Sequence, residues 1–332
     1  MFKPKFLLIA MLAALTALAP QLGSACSEVF LAEPVVSARN FDFMTSLGEI
    51  RVSPPGQAKA STYVAKGLSP LRWTSKYGSV AFNILLPAKN QAYGVEQVAA
   101  GVDGMNQAGL KVGSYYLFEG RLPAQDARPV LDVADWVQYL LDNFATVGEA
   151  VADARSGRYR LASVGTDMVE IKLHLFVHDR GGNSAVLEYL DGKLVVQENP
   201  AVRVLTNSPY ALCYAALPAK GSAWKSVPGG AGSLDRFLRG AYYLAHVPPL
   251  AKGREAVDTG LAVIQILSIS PVIDHISTQW TVVSDIPGGK IHYRTLHSPS
   301  IKTIDLQELR RGGWAPRSTP LGAEKAGGGS AS

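Results

Sequence analysis

The fold of this chain is decided at residues 22–43, which read LGSACSEVFLAEPVVSARNFDF. A cysteine stands directly after three small residues, and two runs of strand-forming residues follow it. These runs predict strands over Ser27–Ala32 and Val35–Phe43, with a turn at Glu33-Pro34. The position of Cys26 leaves four explanations: a lipid attachment point, one half of a disulfide, a buried side chain, or a new N-terminus that carries its own thiol.

Residues 1–25 have the three parts of a secretory signal peptide. Lys3 and Lys5 give a basic start, an uncharged apolar run continues to Ala19, and small residues precede Cys26 as at a cleavage site. The apolar run is shorter than the roughly 20 residues that span a bilayer, and no later segment is long and apolar enough. We therefore expect a removed leader, a periplasmic or secreted mature protein, and no stable membrane anchor.

The composition predicts one domain that binds no nucleic acid. The formal net charge is +5, and no run of five or more lysines and arginines forms a nucleic-acid footprint. No linker divides the chain, so we expect a single domain over residues 26–315. Residues 316–332 are small, polar and glycine-rich, and we predict that they are a disordered tail.

Hairpin signals and amphipathic helices predict an α+β fold. Four apolar runs over residues 172–206 are separated by the turn signals RGGN, DG and NP. The stretch GVDGMNQAGL, residues 101–110, is expected to be a turn-rich connector. Apolar residues over 133–144 follow the helical period, and helices are also predicted at Leu234–His246 and Arg254–Ile269.

Two further signals complete the expected architecture. Thr146 and Glu149 fit a capping box that opens a second helix, and late strands in QWTVVSDIPGGKIHYRTL turn at PGG. Clustered hairpins with paired helices favour antiparallel sheets covered by helices over alternating βαβ units. The expected domain is a layered α+β structure.

Metal and cofactor motifs are not found. His174 and His178 are four residues apart in a predicted strand, a span of about 13 Å that is too wide for one ion. No GxSxG, P-loop or GxGxxG pattern occurs. An S-x-x-K match at residues 222–225 lacks the SDN and KTG partners of penicillin-recognising serine enzymes. We therefore expect no metal ion and no cofactor.

Cys26 and Cys213 are the two cysteines, and export would permit a disulfide between them. Cys213 lies in the apolar stretch SPYALCYAAL, where a free buried cysteine is equally ordinary. If the mature chain begins at Cys26, its α-amino group, of pKa about 7.7–8.0, can take the thiol proton. Arg39 would supply positive charge that favours the thiolate. The rival explanation is a lipoprotein, although Gly23 stands where a lipobox generally has leucine.

Five motifs in order resemble the choloylglycine hydrolase family, cysteine N-terminal nucleophile hydrolases that include penicillin V acylases and bile salt hydrolases. CSEVFL with ARNFDF is similar to the family's start, and GMNQAGL to its G-M-N-E-x-G-L segment, with Gln107 replacing the glutamate. LTNSP, SLDRFLRGAYY and QWTVVSDIPGGKIHYRT resemble later family motifs. The resemblance runs from residue 26 to about 296. It implies a four-layer αββα sandwich, two antiparallel sheets between helical layers.

The resemblance implies a role for each catalytic candidate. Cys26 would attack an amide carbonyl and form an acyl-enzyme thioester. Arg39 and Asp42 would flank it, one favouring the thiolate and the other holding the α-amine and thiol in position. Arg236 would support this charge network. Taken singly, Arg39 with Asp42 also reads as a surface ion pair, and Arg236 as a charge at a helix start.

The same resemblance implies an oxyanion site and an acyl pocket. Asn207 would donate its side-chain amide to the oxyanion, although alone it reads as a turn residue. Tyr116 falls at the family's second oxyanion contributor. Phe43, Met44 and Tyr115 would give the acyl pocket an aromatic, flexible lining.

Substrate and assembly follow as expectations from the family. The exported leader resembles the Gram-negative branch, whose members deacylate penicillin V or the quorum-sensing N-acyl homoserine lactones. We therefore expect a small-molecule amide substrate and, as in many members, a homotetramer. The alternatives are a conjugated bile salt hydrolase and a lipid-anchored, non-enzymatic binding protein with Cys26 acylated.

Overall fold

The computed structural model describes residues 26–88, 96–163, 171–219, 224, 226–249, 253–271 and 276–321. Within these residues, no helix has the length and apolar character needed to cross a membrane. The predicted signal peptide, the S-x-x-K serine and lysine, and the last eleven residues of the predicted tail lie outside the described residues.

The elements follow one another in the predicted order of strands, helices, strands, helices and strands. In chain order the strands are β1 (Ser27–Ala32), β2 (Val35–Phe43), β3 (Gly48–Ser53), β4 (Ala58–Ala60), β5 (Arg72–Thr74), β6 (Ser79–Pro87), β7 (Gln97–Asn106), β8 (Lys111–Tyr116), β9 (Val130–Asp132), β10 (Arg160–Ala162), β11 (Leu173–His178), β12 (Ser184–Leu190), β13 (Lys193–Glu198), β14 (Val204–Leu205), β15 (Ser277–Asp285), β16 (Lys290–Thr295), β17 (Ser298–Asp305) and β18 (Arg317–Leu321). The helices are α1 (Trp136–Asn143), α2 (Val147–Arg155), α3 (Tyr210–Ala215), α4 (Ser233–Ala245), α5 (Arg254–Ile266) and α6 (Leu306–Arg311).

Two large sheets form the centre of the molecule. The six-stranded sheet has the order β14-β1-β2-β15-β16-β17, and the eight-stranded sheet has the order β13-β12-β11-β8-β7-β6-β3-β18. Every strand pair within these two sheets is antiparallel. Helices α4 and α5 cover the first sheet at β1 and β2, and α1 and α2 cover the second at β7 and β12. This arrangement confirms the predicted αββα sandwich.

Aromatic side chains fill the layer between the sheets. Phe41 stacks on Trp280 within the six-stranded sheet, with ring centroids 4.0 Å apart. Phe82 of β6 meets Tyr293 of β16 edge to face across the two sheets, at 5.5 Å. Burying such rings contributes to the stability of the sandwich.

The predicted helices and hairpins are confirmed with small shifts of their ends. Thr146 caps α2 in a complete capping box with Glu149. The helix predicted at Leu234–His246 spans Ser233–Ala245. The helix predicted to reach residue 269 ends at Ile266.

The turn-rich connector predicted at residues 101–110 is mostly strand. Residues 101–106 belong to β7, and only residues 107–110 lie outside a strand before β8 begins at residue 111. Gly101 and Gly104, which suggested turns, instead allow α1 to pack closely against β7. A Cβ at Gly101 would lie 2.9 Å from Val137 Cβ, and one at Gly104 would lie 2.6 Å from Leu141 Cδ1.

The predicted disordered tail is wrong for residues 317–321. These residues form β18, which pairs with β3 at the edge of the eight-stranded sheet. Only Leu321 in this strand is buried. Because the other four residues face solvent, the strand has the polar composition that is typical of a tail. Pro320 is tolerated there because an edge strand has one side without ladder hydrogen bonds.

Candidate active site

Cys26 lies immediately before β1, with 1% of its surface exposed. Its backbone nitrogen donates a hydrogen bond of 2.7 Å to the side-chain oxygen of Asn207. The pairing of β1 with β14 explains this contact, because Glu28 lies opposite Leu205 and Asn207 follows two residues later. The strand ladder therefore brings the Thr-Asn-Ser-Pro turn to residue 26.

Arg236 fixes the same residue from the helical layer. Its guanidinium, buried in the first turn of α4, donates to the carbonyl oxygen of Cys26 at 2.5 Å and to the Ser27 hydroxyl at 2.6 Å. It also donates to the Asn207 side-chain oxygen at 2.9 Å. Residue 26 is thus held at its nitrogen and at its carbonyl by two side chains that also bind each other.

Arg39 acts on the thiol of Cys26 from the space between the sheets. Burial raises the pKa of the Cys26 thiol, while the charge and a hydrogen bond of Arg39 oppose that rise. The guanidinium donates to the Ser114 carbonyl at 2.5 Å and lies 4.6 Å from the ring centroid of Tyr115. Arg39 is therefore anchored beside the sulfur as a source of positive charge.

Asp42 is the acid beside this cysteine. Burial raises the pKa of its carboxyl to about 7, against the opposing effects of Arg236, Thr278 and Arg39. Oδ1 accepts a hydrogen bond of 2.6 Å from the Thr278 hydroxyl, whereas the buried Oδ2 has no hydrogen-bond partner among the described residues. The Asp42 charge adds to the rise that burial causes in the pKa of the Cys26 thiol, while a hydrogen bond with the Asp42 backbone opposes that rise.

A β-bulge in β7 opens the eight-stranded sheet at this point. The register with β6 shifts because Phe82 lies opposite Asp103 while Asn83 lies opposite Gly101. Val102 is therefore the extra residue, and Asp103 turns to the layer between the sheets. Strands β7 and β8 pair only over residues 103–105 and 111–113.

Beyond residue 113, the backbone of β8 faces the site instead of β7. The backbone N–H of Leu117 donates to the carbonyl of Lys172, the residue before β11. In the adjacent pair, Tyr116 with Leu173, the backbone N–H and C=O of Tyr116 are therefore turned away from β11. The carbonyl of Tyr116 accepts a hydrogen bond of 2.9 Å from the Asn207 side-chain nitrogen. Tyr116 thereby lies next to the residue that holds Cys26.

An apolar cavity of about 50 Å³ lies in this opening, next to Cys26. The residues of β2 that line it are Phe41 and Phe43, and the remaining lining residues are Ile84, Leu86, Ala100, Gly101, Val102, Ser114, Tyr116, Ile171 and Leu173. Ten of these eleven residues are apolar or aromatic, and Ser114 is the exception. The cavity therefore suits a hydrocarbon or aryl group.

Six of the predicted site residues come together here. Cys26, Asn207 and Arg236 form one hydrogen-bonded group, Arg39 and Asp42 influence the thiol, and Tyr116 lines the cavity and binds Asn207. Of the three residues predicted for the acyl pocket, Phe43 lines the cavity.

Tyr115 and Met44 do not line that cavity. Tyr115 is fully buried, and its hydroxyl donates to the carboxylate of Glu28. Tyr115 and Tyr116 are neighbours in β8, so their side chains face opposite sides of the sheet. Met44 follows β2 and is 39% exposed, outside the cavity lining.

A buried group of charges behind Arg39 was missed by the sequence analysis. Asp103 Oδ2 lies 3.6 Å from Arg39 Nη1 and 3.4 Å from the ammonium of Lys111. Lys111 also binds Glu28, which accepts a hydrogen bond of 2.6 Å from His178 Nε2. Each of these side chains is at most 1% exposed.

The charges in this group compensate one another. Burial by itself would raise the pKa of Glu28, but Lys111 and His178 bring it down to about 2. Burial raises the pKa of Asp103 and lowers that of His178. In the sequence, this group is indicated only by charged residues inside apolar strands. That pattern does not predict which of the charged residues contact one another.

The two cysteines are not joined by a disulfide, and His174 binds groups of the protein itself. Cys26 and Cys213 are both free, and burial raises the pKa of the Cys213 thiol to about 11. His174 lies between the Glu188 carboxylate and the Thr206 carbonyl, each at 2.8 Å. No cluster of three or more metal-binding side chains occurs in the described part of the chain.

Comparison with solved structures identifies the fold as that of the N-terminal nucleophile hydrolases. The structure of penicillin V acylase from Agrobacterium tumefaciens matches with a TM-score of 0.72 at 28% identity, over 90% of each chain. A mutant of the conjugated bile acid hydrolase from Clostridium perfringens matches with a TM-score of 0.68 at 17% identity, over 89% of this chain and 96% of that one. The second match shows a shared fold alone.

The sequence identifies the family. Residues 26–215 match the linear amide C–N hydrolases, choloylglycine hydrolase family, and the chain belongs to this family. The penicillin V acylase of Pectobacterium atrosepticum is 30% identical over 345 aligned positions, which cover 92% of this chain and 87% of that protein. The predicted family is thereby confirmed, and the chain is a linear-amide hydrolase.

Proposed function

We propose that the protein is an exported acylase that uses Cys26 as an N-terminal nucleophile and cleaves penicillin V or an N-acyl homoserine lactone. The observation that carries this proposal is the arrangement at residue 26. Asn207 and Arg236 hold its backbone, and its thiol borders an apolar cavity between the sheets. A peptide nitrogen at residue 26 has no basic lone pair, so the mechanism requires removal of residues 1–25.

The α-amine of the mature chain is the proposed base. Burial raises the pKa of the Cys26 thiol, so the thiol keeps its proton at neutral pH unless a nearby base accepts it. The α-amine, with an ordinary pKa of about 7.7–8.0, is attached to the same residue. Asp42 Oδ2, which has no hydrogen-bond partner in the described part of the chain, would accept a hydrogen bond from the ammonium that forms, and Arg39 would stabilise the thiolate.

Acyl transfer then proceeds in two steps. The thiolate attacks the amide carbonyl carbon, the C–N bond breaks, and the leaving amine takes the proton held by the α-ammonium. Water, deprotonated by the same α-amine, attacks the thioester, releases the carboxylic acid and returns a proton to the sulfur. No metal ion or oxidant enters this balance.

Asn207 and Tyr116 are the proposed donors to the oxyanion. The side-chain amide of Asn207 has two hydrogens, and one of them is bonded to the Tyr116 carbonyl. The second would stabilise the negative oxygen, and the backbone N–H of Tyr116 lies on the strand edge that faces the same side. The oxygen of Asn207 is already fixed by two donors, which orients the amide before substrate binds.

The cavity and the relatives support the choice of substrate. An aryl or alkyl acyl group matches the apolar lining, whereas a steroid would bring hydroxyl groups that this lining cannot satisfy. The two penicillin V acylases are 30% and 28% identical to the chain. We also propose a periplasmic or secreted location and a homotetramer, to be checked by fractionation and by light scattering.

The test begins with the mature protein and penicillin V, glycocholate and dodecanoyl homoserine lactone as substrates. Cys26→Ser should lose most turnover because a hydroxyl is a weaker nucleophile, and intact-mass analysis of wild type should detect the acyl adduct. N-terminal sequencing should begin at Cys26. Full activity of Cys26→Ala, active protein with another N-terminus, or a diacylglycerol mass on Cys26 would each refute the proposal. A clear preference for glycocholate would overturn the choice of substrate.

A further inference from the structure

A second, larger cavity lies beside the proposed active site. Its volume is about 690 Å³, and its lining includes Phe118, Glu119, Arg121, Arg160 and Lys172. Three of these five side chains are cationic and one is anionic. The electrostatic character of the cavity wall therefore favours a negatively charged ligand.

Arg160 is the unusual member of this lining. It opens β10, is 5% exposed, and its Nε is buried without a hydrogen-bond partner. No hydrogen bond or ion pair of its guanidinium is found within the described ranges, which leave out residues 164–170. The acid whose pKa it lowers, Asp126, is bound directly by Arg128 at 2.6 Å.

A buried guanidinium nitrogen without a hydrogen-bond partner, such as Arg160 Nε, is costly. Removing a cation from water costs several kcal/mol unless a counter-charge and hydrogen bonds replace the solvent. Guanidinium groups bind carboxylates with two parallel hydrogen bonds, so a carboxylate ligand would compensate this cost.

The two cavities meet at the end of β8. Tyr116 lines the apolar cavity, and Phe118 lines the larger one, with the two rings in edge-to-face contact at 4.9 Å. In the segment that leads into β11, Lys172 lines the large cavity, while Ile171 and Leu173 on either side of it line the apolar one. An amide cleaved at Cys26 would thus place its acyl group in one cavity and its amine portion toward the other.

We propose that Arg160 binds a carboxylate on the amine portion of the substrate. This inference rests on the proposed function and adds the class of leaving group that the enzyme selects. Tyr116 and Phe118 are two positions apart, a span of at most about 7 Å. The carboxylate of 6-aminopenicillanate, on the far side of a fused ring, suits this span, whereas a homoserine lactone has no charge to offer.

The test compares penicillin V with its methyl ester, which differs only in the loss of that charge. Arg160→Met removes the guanidinium, Arg160→Lys keeps a cation, and Arg155→Met removes an exposed arginine that pairs with Glu198 elsewhere. Arg160→Met should raise KM for penicillin V at least tenfold, as expected for a lost charged hydrogen bond, and leave kcat nearly unchanged. Values for the methyl ester should stay within about twofold, and Arg160→Lys should recover part of the loss.

The outcomes separate this inference from the proposed function. Equal changes of KM for the acid and the ester, or no change for either, would overturn the carboxylate site while hydrolysis by wild type persists. If wild type hydrolyses neither compound, the proposed function fails, and calorimetric titration with 6-aminopenicillanate still tests the site. Binding to wild type that Arg160→Met abolishes and Arg155→Met retains supports it; equal binding to all three proteins, or none, refutes it.

Discussion

Replacing Asp42 by asparagine should stabilise one form of this protein and inactivate the other. In a form that retains Ala25, the nitrogen of residue 26 is an amide, and burial raises the pKa of Asp42 from 3.8 to about 7. A raised folded-state pKa means that the contribution of Asp42 to stability is fully present below pH 3.8 and is lost as pH rises to about 7. The full loss is about 4 kcal/mol, from about three pKa units at 1.36 kcal/mol each.

The assay is chemical denaturation at pH 5 and at pH 8 of four proteins. These are the wild type and Asp42→Asn, each with Ala25 retained and with Cys26 at the N-terminus. Between the two pH values, the Ala25 form of wild type should lose about 3 kcal/mol relative to its Asp42→Asn variant, because the titration is complete near pH 7. In the mature form the α-ammonium supplies a partner for Asp42 Oδ2, so this relative loss should fall by at least half.

Activity gives the second half of the prediction. Mature Asp42→Asn should fold and bind substrate but lose most of its kcat, because the α-ammonium is no longer held by a carboxylate. The same relative loss of stability in both N-terminal forms would refute the contact between Asp42 and the α-amine. So would a mature Asp42→Asn enzyme with the pH profile and kcat of wild type.

Three other substitutions test the surroundings of the site. Lys111→Met should destabilise the fold by about 3–5 kcal/mol in denaturant titrations, because it leaves Glu28 buried without its cation. Adding Glu28→Gln to this variant should recover part of the lost stability. Equal stability of the single and double variants would contradict the pairing of Lys111 with Glu28. Gly104→Ala should lower stability by about 1–3 kcal/mol because its Cβ would collide with α1 and β6, whereas Gly148→Ala, with nothing within 4 Å, should be neutral or stabilising. Cys213→Ala should keep wild-type kcat and KM, since this thiol is free and buried; loss of turnover without loss of thermal stability would show that it takes part in the reaction.

The fold was predictable because the signals were local or extended over many residues. The turn at Glu33-Pro34, the capping box at Thr146 and the helix that begins at Ser233 each depend on neighbours in the chain, and the structure confirms them. The polar edge strand β18 was missed because one buried residue in five gives almost no alternation.

The site was predictable only through the resemblance to a family. Nothing in the residues near Asn207 says that its oxygen will meet the nitrogen of Cys26, since 181 positions separate the two. The side of the strand on which Asp103 lies depends on the bulge at Val102, which reverses the alternation for the rest of β7. A strand without that bulge would direct Asp103 toward α1, so alternation alone gives the wrong face.

The hydrogen bonds at residue 26 also set the order of events during folding. Cys26 is held by residues 181 and 210 positions away, and Asp42 is held by Thr278, 236 positions away. Contacts of such high sequence separation form late, because the entropy of closing a long loop is lost before the contacts compensate it. A ribosome that adds about 5–20 residues per second therefore needs many seconds before the last of these partners leaves it. If Cys26 is the nucleophile, as proposed, a partly synthesised chain contains the thiol but not the groups that position it. The nascent protein should then not hydrolyse amides before nearly all of its sequence is present.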